Sequence, residues 1–356
     1  MRLQPPRLPL AFVALALATA TTAQTTVVVP CAKDNTLYES TTGSLSSGSG
    51  PSLFVGVTGQ PGLRRALLKF DIAAHVPSGA RIVGATLTIN TTQSAYAGAV
   101  DVSGHRVLTA WGEGASIAPG GGGGGGAAAT NDATWLHTFY PGSFWSTAGG
   151  DFAPTPSLLI TTQPFGLASS QPSTAMIADV QSWLNNSAGN HGWLLKTNEA
   201  LPYVTRKFDS RETTLGTAPS LSVSYLTRGQ TGTVGDGCLV GTQNFTHTLT
   251  GPFIGGTTVN LVQSNGPRNS FCLNMLALSF VPAGAQVIPG CMMYLPLGTQ
   301  LVSHSVVLLG PNGAGSTPLS LPAGFPNVAI YSQAAALLPA SPGSFVLSNA
   351  AIGILQ

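Results

Sequence analysis

Read for polarity, residues 25–227 break into many short stretches in which apolar and polar positions alternate. "RIVGATLTIN" (81–90) alternates in this way. In "PSLSVSYL" (219–226), Leu221, Val223 and Tyr225 share one side. A period of two predicts half-buried strands. "RRALLKFDI" (64–72) sorts the same way. Ala66, Leu68, Phe70 and Ile72 point to a core, and Arg65, Leu67, Lys69 and Asp71 point to the opposite face. Arg65 and Lys69 then stand roughly 13 Å apart, at about 3.3 Å per residue. That is too far to grip one carboxylate together but suits successive sugars of an acidic chain. One segment has helical spacing instead. "STAMIADVQSWLNN" (173–186) sets Met176, Val180, Trp183 and Leu184 on one stripe, with Ser173 or Thr174 to cap it and Gly189 beyond its end. "GWLLKT" (192–197) returns to a strand.

The second segment, 238–356, shows turn signals between short apolar runs: "GPFIGG", "SNGPRN", "LGPNGAGS", "LPAGFPN", "LPASPGS". This spacing predicts another β-sandwich or barrel. The expected class is therefore all-β: an N-terminal, jelly-roll-like β-sandwich (25–227) with one short helix, and a smaller C-terminal β-sandwich (238–356). The Gly-rich stretch 228–237 is expected to link them. The run "PGGGGGGGAAAT" (119–130) is expected to be a flexible inserted loop. It lacks the Lys-Ser/Thr of a phosphate-binding loop.

Charge sharpens the division. Only 7% of residues are Asp, Glu, Lys or Arg, against about 25% in ordinary chains. Every carboxylate side chain lies between Asp34 and Asp236, and after Gly237 the sole charged side chain is Arg268. Residues 1–23 run from Arg2 and Arg7 through "LPLAFVALALATA" to "TTAQ". This is the order of a secretory signal peptide cleaved after Ala23, or after Ala20. It predicts a secreted, extracellular or cell-surface protein. Loss of Arg2 and Arg7 from fourteen cations leaves twelve, against twelve carboxylates. Zero net charge argues against a nucleic-acid partner. No later stretch carries 18 uninterrupted apolar residues, so no membrane span is expected. Cys31, Cys238, Cys272 and Cys291 allow three disulfide connectivities, and no Cys-x-x-Cys pair points to zinc.

Candidate chemistry is sparse. The second segment contains no Asp or Glu, which excludes paired-carboxylate hydrolysis and hard-metal sites built from its own side chains. His247 and His304 have no acid to orient them, and no motif suggests a Ser–His pair. In the first segment Asp209 and Glu212 are close enough for a general acid and base. The plainer expectation is that they cap a turn and pair with Lys207 or Arg65. Aromatics gather in "TWLHTFYPGSFW" (134–145). Trp135 and Trp111 read as core. Phe139, Tyr140, Phe144 and Trp145 flank the turn "YPGS" and are expected to be exposed. An exposed ring beside polar groups suits the apolar face of a sugar.

Several phrases then resemble one family in order. "KDNTLYES", "SLFVGVTG", "RRALLKFDI" and "PSGARIVGATLTI" resemble the opening of the DNRLRE domain. "LTAWGEGAS" with "ATWLH" resembles its middle, and "IADVQSWLNN…NHGWLLKTNE…RKFDSRETTLGTAPSLSVSY" its end. The resemblance covers about 31–226, with the namesake motif reduced to "DSRET" (209–213). It implies a noncatalytic β-sandwich of the carbohydrate-binding-module type in a secreted bacterial protein, with polysaccharide, acidic ones included, as partner. No ligand motif carries over, so Arg65, Lys69, Tyr140 and Trp145 are the binding candidates from chemistry alone. Sandwich modules of this type often hold a structural Ca²⁺, for which Asp34, Asn35 and Glu39 supply oxygens; a turn cap is the alternative. No other cofactor is expected. The tail "GDGCLVG…IPGCMMYLP…LPAGFPNVAIYSQAAAL" is similar to a C-terminal β domain of secreted bacterial proteins. That similarity implies a Cys238–Cys291 bond and leaves Cys31 and Cys272 as a possible second pair. Two other functions stay open: a structural or adhesive surface or matrix protein without soluble ligand, and a polysaccharide-degrading enzyme.

Overall fold

In a computed structural model, residues 24–58, 62–298, 300–341 and 343–356 are described; the proposed signal peptide lies outside them. The chain is all-β with a single α-helix among the described residues. In the first domain the main strands are β1 (Thr25–Tyr38), β2 (Ser52–Val57), β3 (Leu63–Phe70), β4 (Arg81–Ser94), β5 (Val100–Arg106), β6 (Leu158–Thr162), β7 (Gly166–Ser169), β8 (Trp193–Lys196), β9 (Thr205–Asp209) and β10 (Ser220–Leu226). β1 is the hinge of the architecture. Its first half, from Thr25 to Pro30, pairs with β10, and after an irregularity between Cys31 and Lys33 its second half pairs with β3. The ring β1-β10-β4-β9-β2-β3 thereby closes on itself as a barrel-like sheet, and β8, β5 and β6 extend it from β3.

The alternation foreseen in 64–72 and 219–226 sets the interior. Ala66, Leu68, Phe70, Ile72, Leu221, Val223 and Tyr225 join one buried core. The helix α1 (Thr174–Asn185) closes that core with Met176, Val180, Trp183 and Leu184, and Ser173 caps it by accepting the Met176 N–H. Trp183 meets Trp193 edge-on at 4.6 Å, and Trp193 Nε1 donates to Asp179 at 2.9 Å.

The other face of β3 is covered too. The excursion 107–157, between β5 and β6, folds over it and builds a second cluster from Leu37, Leu67, Trp111, Ala133, Trp135, Trp145 and Leu194. The glycine run inside this excursion is packed rather than a free tether. Gly122 O accepts the Tyr38 hydroxyl at 2.8 Å, and Gly123 O accepts Arg64 Nε at 3.0 Å. Gly126–Ala127 pairs with Leu45–Ser46.

The second domain comprises β11 (Thr231–Val234), β12 (Thr246–Thr250), β13 (Thr258–Ser264), β14 (Phe271–Ala277), β15 (Ala285–Ile288), β16 (Cys291–Met293), β17 (Val302–Leu308), β18 (Gly315–Ser320), β19 (Ala329–Leu337) and β20 (Phe345–Ile354). A five-stranded sheet, β11-β20-β19-β14-β17, faces the three-stranded sheet β12-β13-β18. Leu249, Val259, Leu261 and Leu319 pack against Ile330 and Ala351 between them. The expected linker contributes β11, an edge strand paired to β20 from Gly353 to Ala350. Cys238 and Cys291 are bonded across 53 residues. The possible second pair is not formed. Cys31 lies in the first domain's core and Cys272 in the second's, both as buried free thiols.

Candidate functional site

The excursion decides the fate of the predicted binding face. Arg65 does point away from the barrel core, but into protein. Its Nε and Nη2 donate to the two Glu199 oxygens at 2.7 and 2.9 Å, and Nη1 donates to Gly149 O at 2.7 Å. The guanidinium lies 4.8 Å from the Trp135 ring centre and 5.3 Å from that of Phe152. Burial alone would raise the Glu199 carboxyl. Hydrogen bonds from Arg65 and Lys196 outweigh it and hold the group below its ordinary range. Arg65 is therefore a bidentate, stacked structural cation. Its partner is Glu199, not Asp209 or Glu212. Trp145, expected to be exposed, is buried at 6%, and its Nε1 donates to Thr134 O at 2.8 Å. Tyr140 is half-buried, edge-on to His137 at 5.0 Å, while Phe144 is 62% exposed and lies 4.4 Å from the same imidazole.

Lys69 has a different setting. It sits directly across from Lys33 in the β1–β3 ladder. Lys33 Nζ donates to Trp111 O at 3.1 Å and stands 5.4 Å from that indole's centre. Burial, then the Lys69 charge, lowers the Lys33 ammonium, and the same two causes lower His191. Among the described residues no carboxylate forms an ion pair with Lys33 or Lys69. Opposed like charges destabilise a ladder; the Glu113 charge offsets part of this at Lys33, and the pair remains a cationic spot without an ion pair among the described residues. Parity along 64–72 places Lys69 on the same face as Arg65, roughly 13 Å away at about 3.3 Å per residue. Lys33 and His191 are invisible in the sequence pattern, because the β1–β3 register brings Lys33 to Lys69 and Trp111 Nε1 donates to His191 O.

A second cluster surrounds Asp34, which is fully buried. Asp34 Oδ2 accepts the Arg211 backbone N–H at 2.7 Å. The Asp34 N–H donates to Glu113 Oε1 at 2.8 Å, and Arg211 holds both Glu113 oxygens at 2.6 and 2.8 Å. Glu212 completes the group: ligand atoms of Asp34, Glu113 and Glu212 all lie within 4.8 Å of one another. Burial, then neighbouring acids, pushes Asp34 well up, and burial raises Glu212. The other two calcium candidates are engaged elsewhere. Asn35 donates to Glu113 O and Ala133 O and accepts from Ser46 and from two backbone N–H groups. The exposed Glu39 accepts the Leu63 N–H. Asp209 caps a turn by accepting from Asn90, Thr213 and Thr217, so it forms no acid–base pair with Glu212.

The second domain does contain a Ser–His pair: His247 and Ser332 Oγ are 2.8 Å apart. Gln263 reaches the other ring nitrogen at 3.1 Å and donates to Asn274 Oδ1 at 2.8 Å. His247, Gln263, Asn274 and Ser332 are all fully buried. The pair serves as a polar seam joining the two sheets and offers no access to a substrate. Burial lowers His247 to about 4. An unfolded histidine titrates near 6.5 and so binds more protons across the window between those values. Stability of this domain is expected to be intact above pH 6.5 and to fall by about 3 kcal/mol as pH drops to 4. Every Asp and Glu side chain lies in 34–236, so the His247 contribution is read as the difference between wild type and a His247→Gln variant. Urea unfolding followed by circular dichroism at pH 7 and pH 4 measures the loss, and His247→Gln should flatten it.

No protein-family model matches this chain, and no curated protein matches it significantly.

Proposed function

We propose that the protein is a noncatalytic binding protein whose first domain captures an acidic polysaccharide at Lys33, Lys69 and His191. The observation that carries this is the Lys33–Lys69 juxtaposition: two cations on adjacent strands, with no ion-pairing carboxylate among the described residues. An external carboxylate or sulfate group relieves their repulsion, while the buried Trp111 holds Lys33 in place through its carbonyl and indole. The site thus moves away from Arg65 and Trp145, which are consumed in packing. Noncatalytic action fits the buried state of the His247–Ser332 pair. The resemblance to the DNRLRE domain, and export to the cell exterior, belong to the same proposal.

The test is affinity electrophoresis of the full mature chain in a panel of neutral and acidic polysaccharides. Retardation is expected in an acidic one, with roughly tenfold or greater weakening in Lys69→Glu, about 1.4 kcal/mol. Absence of retardation by every polysaccharide would sink the reading.

A second reading, a surface or matrix adhesin, draws on the second domain. A cleft of about 490 Å³ is lined by Phe271, Met275, Val306, Leu337 and Phe345, among other apolar residues. Phe271, Val306 and Leu337 are each at least 50% exposed. Apolar concavities of this kind mark contact surfaces. Failure on the whole panel, combined with adhesion to apolar beads, favours this reading.

A further inference from the structure

We propose that Asp34, Glu113 and Glu212 form a calcium site that staples the excursion 107–157 to the barrel. The three carboxylates converge within 4.8 Å, and Arg211 is the one cation in ion-pair contact with them among the described residues. Arg211 is already spent on both oxygens of Glu113. Asp34 Oδ1 is buried without any hydrogen-bond partner, although its sister oxygen accepts from the backbone. Both Glu212 oxygens are likewise buried without a hydrogen bond. Their only ionic neighbour is Arg211 Nε, 2.9 Å from Oε1.

Every orphan here is an oxygen acceptor, and the cluster carries excess negative charge. Buried acceptors of this kind demand a donor or a cation. One cation would satisfy several at once. The donor set is all hard oxygen, with no histidine or thiolate in the cluster, which excludes a preference for zinc or copper. Mg²⁺ retains several waters in a strict octahedron, whereas Ca²⁺ accepts irregular carboxylate sets. The ligands come from distant parts of the chain. Asp34 lies on β1, Glu113 in the excursion and Glu212 just after β9. An ion shared among them ties the covering layer to the ring. The site stands apart from the polysaccharide reading and does not depend on it.

The test uses the full mature chain, stripped with chelator and then given Ca²⁺. A calcium-induced rise in melting temperature of ~5 °C is expected at saturating ion, and Glu212→Gln should abolish it. Calorimetric titration of the wild type should give one Ca²⁺ per chain, which keeps the test open should the variant fail to fold. No heat and no thermal shift in the wild type would overturn the proposal. So would a shift that survives in Glu212→Gln, which would place the ion elsewhere. A wild type blind to calcium, with a Glu212→Gln variant that melts higher, would mean that the acids share a proton instead.

Discussion

Replacing Arg206 with methionine is expected to destabilise the first domain by about 3–5 kcal/mol. Arg206 on β9 is fully buried, and no carboxylate pairs with it among the described residues. It works as a five-donor clamp on oxygens. Nε donates to Thr162 Oγ1 at 3.1 Å and Nη1 to Tyr96 O at 3.2 Å. Nη1 also reaches Ser94 Oγ, and Nη2 reaches Gly98 O. The clamp therefore gathers the end of β4, the turn that follows it and the end of β6. Methionine fills the volume but leaves those acceptors buried and unpaired, and an unmade buried bond costs more than a made one contributes. All five tryptophans lie between residues 111 and 193, so their fluorescence follows the first domain alone. The tryptophan-detected urea midpoint should fall in Arg206→Met. A loss under about 1 kcal/mol would show that the carbonyls find other partners.

Removing the Cys238–Cys291 bond by a double change to alanine is expected to cost the second domain about 4 kcal/mol, the loop-entropy value for a closure of this length. The bridge spans 53 residues. It joins the entry of the second domain to β16, which is held otherwise by a short pairing with β15. Both sulfurs are buried with Met293, Leu347 and Ile352 in one cluster. The circular-dichroism transition should move to lower denaturant, while the tryptophan transition should keep its midpoint. Equal movement of both would mean that the two domains unfold as one unit. The cores do touch, since Val83 and Leu226 of the first domain pack in the second domain's cluster.

The strand pattern was the legible part of this chain. Alternation placed Ala66, Leu68, Phe70, Leu221 and Val223 in the core correctly because a barrel interior is apolar whatever surrounds it. The helical stripe of 173–186 was equally plain, for the same reason. The outer face was not legible. Parity correctly turned Arg65 and Leu67 away from the core, but parity cannot say what lies beyond a sheet. The excursion 107–157 supplies a second apolar layer from scattered tryptophans and glycine turns, without a period of its own. Arg65 and Trp145 are buried for that reason. In a chain with 7% charged residues, Arg65 and Lys69 read as candidate ligand contacts. Arg65 instead satisfies Glu199 and a backbone carbonyl in the interior, much as the buried Arg64 and Arg206 satisfy carbonyls. The Asp34–Glu113–Glu212 cluster and the Lys33–Lys69 pair join residues between 36 and 178 positions apart in sequence. Only the register of β1 against β3 and the return of β9 bring them together.

The most direct measurement is a binding isotherm on the acidic polysaccharide that retards the protein most, at low and high salt, for wild type and the Lys33→Ala/Lys69→Ala double variant. Exposed cationic contacts weaken as ions screen them, so wild-type affinity should fall with salt, and the double variant should bind weakly with little salt dependence. Equal affinities and equal salt slopes for the two proteins would contradict the assignment of Lys33 and Lys69 as the polysaccharide site.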